Sequence, residues 1–224
     1  MPKEIPVVRN VFLLDLMAAV VLAGLWYFLF ARYNRRKGIR ALRWVEAACS
    51  NRARIVEARW LGASRLQAQL RFAAHWFENA RVTIRLIPRP LPIQWILSHW
   101  HKQKETLTFE ADLDYVPALQ LEIRRHRWLT DSNRSLAQSS RNWTIARPGP
   151  VVLTTSTEWR RELPPIVNTL MTTRGHNLLS VRLDPDSPNL AATIDLNALS
   201  DEEAAAGFLG VVRDLAAGAS ASRP

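Results

Sequence analysis

The sequence predicts an α+β protein: an N-terminal transmembrane helix, then a mostly antiparallel β-sheet domain with two C-terminal helices packed on one face. Three observations carry this. An apolar run from Val11 to Ala31 is long enough to cross a bilayer. A series of short segments alternates apolar and polar residues between Val56 and Arg124. Two stripes at helical spacing follow, separated by a hairpin pattern. Strands, helix, hairpin, helix is the order of an α+β fold rather than of a parallel sheet with regular crossovers.

The run Val11–Ala31 is broken only by Asp15 and Gly24. At about 1.5 Å per residue it reaches roughly 32 Å, against a hydrocarbon core of about 30 Å. Asp15 sits one turn inside, where a carboxylate costs less than at the bilayer centre. Trp26, Tyr27 and Tyr33 lie toward the far end, where aromatic rings favour the headgroup layer. The stretch is too long for a cleaved leader and lacks a small-x-small site before the basic cluster. The N-terminal flank, residues 1–10, carries Lys3 and Arg9; the C-terminal flank carries Arg32, Arg35, Arg36, Lys37, Arg40 and Arg43. That asymmetry predicts an outside N-terminus and a cytoplasmic C-terminal domain. The excess of arginine over lysine, with many alanines, suggests a GC-rich bacterial source and hence a bacterial inner membrane.

Residues 32–50 form a basic juxtamembrane segment. After Gly38, Ile39, Leu42, Val45 and Ala48 or Cys49 recur at helical spacing, so the anchor continues or restarts as an amphipathic helix. The cytosolic domain is expected over 51–218. Its strand patterns place Val56, Ala58 and Trp60 inward; then Leu66, Ala68, Leu70 and Phe72; Val82, Ile84 and Leu86; Leu107, Phe109, Ala111 and Leu113; and Leu119, Leu121 and Ile123. Period-two alternation means one buried and one wet face. Asp131–Arg141 reads as an exposed loop, and Trp143–Ile145 and Val151–Thr155 as short strands around a Pro-Gly-Pro turn. Thr157 to Gly175 carries a helical stripe, kinked or delayed by Pro164-Pro165. Leu179, Val181 and Leu183 pair, across a turn at 184–188, with a return strand bearing Leu190, Ala192, Ile194 and Leu196. The last helix begins at Ser200, with Glu203 completing a capping box, and Gly218 ends it before a disordered tail, 219–224.

Net charge +10 invites a nucleic-acid reading, so its location matters. Residues 1–43 hold 8 basic and 2 acidic residues; residues 44–224 hold 22 and 18. Most of the excess therefore belongs to the anchor. The remainder lies in the membrane-proximal half of the domain, where anionic lipid attracts Lys and Arg. A single cysteine excludes a disulfide scaffold or a Cys-rich zinc module.

Several segments are candidate sites. Pro90–Lys104 is too apolar for a loop; Ile93, Ile96, Leu97 and Trp100 share a helical face, with Trp95 beside them and Lys102 and Lys104 following. Trp and Leu on one face with Lys at the end suit an interfacial helix, or else a helix packed on the sheet. The predicted membrane-surface set is thus Arg32, Arg35, Arg36, Lys37, Arg40, Arg43, Trp95, Trp100, Lys102 and Lys104. His99-x-His101 followed by Glu105 chelates poorly on a helix, because i and i+2 do not share a face. Glu110, Asp112 and Asp114 share a strand face and could hold a cation or pair with arginines across strands. Arg124, Arg125 and Arg127, before Trp128, are the best nucleic-acid candidate. The sequence carries no phosphate loop, dinucleotide fingerprint, nucleophile elbow or His-Glu-x-x-His motif.

The expectation is therefore a single-pass membrane-anchored accessory or scaffold protein, leaning away from enzymatic activity. Its domain binds a protein partner or the lipid surface, with no catalytic residue, cofactor or metal and with nucleic acid an unlikely partner. The alternatives are a membrane-tethered enzyme using the acidic strand face, or a tethered nucleic-acid-binding module.

Overall fold

Residues Ile5–Ala48 form one unbroken helix, α1. The computed structural model describes residues 5–49, 52–73, 77–114, 117, 120–125, 143–146, 151–156 and 178–221. From Val11 to Leu25 every residue of α1 is exposed, and its most apolar window has no buried residue. This is one helix long and apolar enough to cross a membrane. From Trp26 onward the same helix acquires a buried stripe, one residue per turn: Trp26 and Phe30 half-buried, then Asn34, Gly38, Ala41, Val45 and Cys49 buried. Gly38 does not separate anchor from domain. A Cβ there would stand 2.8 Å from Cη2 of Trp60, so glycine lets the helix lie close against that ring.

Nine strands follow in one sheet: β1 (Ala53–Trp60), β2 (Arg65–Phe72), β3 (Phe77–Arg85), β4 (Thr106–Leu113), β5 (Leu121–Arg125), β6 (Trp143–Ala146), β7 (Val151–Ser156), β8 (Leu178–Leu183) and β9 (Leu190–Asp195). The spatial order is β1-β2-β3-β4-β9-β8-β5-β7-β6, with every described pairing antiparallel. A short helix, α2 (Pro92–Trp100), joins β3 to β4. A 3-10 turn, Leu196–Ala198, and a long helix, α3 (Glu202–Ala221), end the chain.

Register explains the core. Leu66, Ile84, Leu107 and Ile194 stand opposite one another across four strands. The next row runs Ala68, Val82, Phe109, Ala192, Val181 and Ile123. All of these are buried. The C-terminal half of α1 and α3 pack together and join the same core through Ala41, Leu42 and Val45 and through Phe208, Val212 and Leu215. The domain is thus α+β with helices on one sheet face. Among the described residues, one of those helices is the continuation of the candidate span; the predicted Thr157–Gly175 helix and Asp131–Arg141 loop lie outside the described residues.

Two bulges shift the alternation that the sequence predicts. Between Ile55 and Glu57 the β1 register slips, so Ile55 pairs with Leu70 while Val56 turns out to solvent, 54% exposed. A residue inserted in one strand re-aims its neighbours, and Ala58 and Trp60 regain the Ala68 and Leu66 row, with Ala58 exposed and Trp60 half-buried. Between Leu178 and Ser180 a second slip sets Leu178 opposite Ile194; Leu179 is buried but outside the main cluster. Leu119 lies outside the described residues. Leu196 is buried in the 3-10 turn rather than in β9.

The cap of α3 also differs from expectation. Asp201, not Ser200, accepts the Ala204 N–H at 2.8 Å, and the Ser200 hydroxyl donates to its other oxygen. Gly218 does not stop α3, which runs on to Ala221; an isolated helix glycine is tolerated at a cost.

Candidate membrane-facing site

The segment between β3 and β4 builds the most unusual surface. Pro92 starts α2, where its missing N–H is one of the helix's unpaired donors in any case. The helix ends in a Schellman turn: Lys102, at φ +48°, donates to the His99 carbonyl, and Gln103 donates to that of Ser98. Ser98 faces inward and is buried. On the opposite face Ile93 is 76% exposed, Ile96 57%, Leu97 45% and Trp100 81%. Burying one such side chain is worth about 1.5–3 kcal/mol, so four on one stripe mark an interaction surface.

This helix is held against α1. The Trp26 indole N–H donates to the Arg89 carbonyl at 3.1 Å. The Trp26 ring stands 6.0 Å from that of Trp95, which is half-buried, and 4.4 Å from Phe30. Above them sits a polar clamp. Asn34, fully buried, donates to the carbonyls of Ile87 and Ala63 at 3.0 and 3.2 Å and accepts from Arg89 at 3.2 Å. Glu105, 2% exposed, accepts from Arg89 Nη1 at 2.5 Å, from the Ile87 N–H at 3.3 Å and from Lys37 Nζ. The Arg89 guanidinium also lies 5.1 Å over the Tyr33 ring. Burial pushes the Glu105 carboxyl up, but the hydrogen bonds and charges of Lys37 and Arg89 outweigh it and hold the group below its ordinary value. Both chain ends of α2 are therefore fixed to α1.

The expected membrane-surface residues divide accordingly. Arg32, Arg35, Arg36, Arg40, Arg43, Trp100 and Lys102 are exposed. Lys37 is drawn into the clamp, and Lys104 pairs with Asp195 at 2.8 Å. Trp95 packs on the anchor rather than facing outward.

The other candidates do not converge. Glu110 stands opposite Arg81 across the β3–β4 ladder. Asp112 accepts from the Ser187 hydroxyl at 2.7 Å and Asn79 at 3.1 Å; these bonds outweigh its burial and keep its carboxyl low. Asp114 is exposed just past β4. Arg124 pairs with Glu122 at 2.5 Å; the Arg125 side chain and Arg127 lie outside the described residues. No group of three metal-ligating side chains occurs among the described residues, and the Glu105 that follows His99 and His101 is occupied by two cations.

Asn34 and Arg89 are the working residues that pattern reading misses, and Trp26, expected only as an interfacial ring, also fastens α2. The available signal is a lone Asn inside a basic helical run, four and eight residues beyond Phe30 and Trp26 on one face.

Fold and site together define an α+β protein carrying one N-terminal candidate membrane span and an apolar surface helix fastened beside it. No family model matches the chain, and no curated protein matches it. Among solved structures it is similar to the crystal structure of the mycobacterial trehalose monomycolate transport factor A, with 11% sequence identity and a TM-score of 0.45, over 82% of this chain and 94% of that one.

Proposed function

We propose that this is a single-pass membrane protein whose α+β domain stands on the cytoplasmic lipid surface and acts as an accessory or scaffold for a protein partner. The observation that carries the reading is the exposed Ile93, Ile96, Leu97 and Trp100 face of α2, fastened beside the candidate span at Trp26. An apolar helix face rimmed by basic residues seats in the boundary between headgroups and acyl chains. The exposed Arg32, Arg35, Arg36, Arg40 and Arg43 add attraction to anionic headgroups. The same arginines favour a cytoplasmic domain, with the bacterial inner membrane as its setting. Two footholds, the span and α2, fix the tilt of the domain and so the surface it offers to a partner.

The test uses the full chain in nanodiscs containing phosphatidylglycerol. An environment-sensitive dye is attached at Ile93→Cys in a Cys49→Ala background, with Val56→Cys as the solvent-facing control. The Ile93 dye should be quenched by spin-labelled lipid and protected from iodide, and the Val56 dye the reverse. Equal iodide access at both positions in a chain that has inserted its anchor sinks the reading.

A further inference from the structure

At the end of α1 remote from α2, the domain holds a cavity of about 710 Å³ between α1, α3 and the ends of β2 and β3. Small-molecule sites occupy about 300–1,000 Å³ and are mostly apolar with a few placed polar groups. Here Cys49, Phe72, Phe77 and Leu209 supply apolar wall. Burial and the nearby Glu46 push the Cys49 thiol up to about 11, which fits a dry lining.

Two further features give the cavity a direction. Arg52 and Arg213 line it and are exposed, with an Arg213 guanidinium nitrogen 3.5 Å from Asp214, so two cationic residues border the cavity. Gly210 lines it from within α3, and a Cβ there would meet nothing within 4 Å. Packing therefore does not require that glycine, unlike Gly38, and glycine weakens a helix interior relative to alanine. A larger side chain there would enter open space beside the cavity wall.

We infer that this cavity binds a single-chain amphiphile with an anionic head, its chain against Phe72, Phe77 and Leu209 and its carboxylate or phosphate on Arg52 and Arg213. Arginine forks match both oxyanions with paired donors. The site lies beyond Trp26 by the length of α1 to Ala48, roughly 33 Å at about 1.5 Å per residue. A chain held there is out of the bilayer. The inference is independent of whether α2 touches lipid.

The experiment uses the full chain in nanodiscs, with photoreactive diazirine palmitate and diazirine lysophosphatidic acid as separate probes for a free fatty acid and a lipid-derived source. Labelled peptides are mapped by mass spectrometry, and labelling of α1 between Val11 and Leu25 serves as the internal control. Label from either probe on peptides containing 72–77 or 206–213 is expected. Gly210→Leu should lower that label at least tenfold and leave the α1 label unchanged. The double variant Arg52→Gln/Arg213→Gln, at exposed positions, should lower labelling by the acid about tenfold and leave labelling by its methyl ester unchanged. Label confined to α1 with both probes overturns the site. Equal labelling by acid and methyl ester in the unsubstituted protein overturns the assigned head group.

Discussion

The carboxylate of Glu105 accepts from Arg89 Nη1 at 2.5 Å while its other oxygen takes Lys37, so a residue entering β4 grips α1 itself. Glu105 thus ties the start of β4 to Lys37 of α1 and to Arg89 ahead of α2.

Glu105→Gln should therefore destabilise the protein. Breaking a buried ion pair by removing one partner costs about 3–5 kcal/mol. Lys37 is 28% and Arg89 18% exposed, so water recovers part of the loss, and about 2–4 kcal/mol is expected. Denaturant unfolding in nanodiscs, followed by circular dichroism, measures it. A change under 1 kcal/mol would show the clamp to be incidental.

The same group sets an acid limit. Its carboxyl is held below its ordinary value of 4.5. A carboxylate depressed in the folded state contributes stability that is fully present above the unfolded value and lost as pH falls through the folded one. The Tm of the unsubstituted protein should fall below about pH 4.5, and the difference between it and Glu105→Gln should shrink over that window. Subtracting the two curves removes the similar acid loss from Asp184 and Asp112, whose carboxyls are also held low. A difference constant down to pH 2 contradicts the ionic account.

Gly38→Val should cost about 1–3 kcal/mol, the usual range for overpacking, because even a Cβ lies 2.8 Å from the Trp60 ring. Trp60→Leu should lessen that penalty in a double-mutant cycle. Additive effects would mean the two positions do not meet.

Cys49 should resist alkylation. It is 4% exposed and its thiol is pushed up to about 11, so about one molecule in a thousand is thiolate at pH 8. Iodoacetamide should label it slowly in the folded chain and rapidly under denaturing conditions; rapid labelling of the folded chain would contradict the raised thiol.

Truncation separates anchor from clamp. Removal of residues 1–25 spares every position of α1 described as buried, since among those the stripe begins at Trp26. Removal of 1–38 deletes Asn34 and Lys37 and leaves Arg89 and Glu105 without partners from α1. The shorter truncation should keep the cooperative melt of the full chain, and the longer one should lower its Tm or aggregate. Identical melting of the two would deny Asn34 and Lys37 a structural role.

The sequence by itself determined the apolar span, because a run of apolar side chains needs no distant partner to be recognised. It determined most strands too: the inward rows at Leu66–Leu70, Val82–Leu86, Leu107–Leu113 and Leu190–Ile194 follow from period two alone. It also singled out the apolar stripe of α2 as a candidate for membrane or core. Tertiary structure alone excluded the core, since exposure depends on what lies opposite, and the stripe faces outward. The bulge at Val56, the slip at Leu179 and the inward turn of Lys37 have the same origin. Each is fixed by register or by a carboxylate 68 residues away in the chain, and local pattern carries no record of such distant pairings.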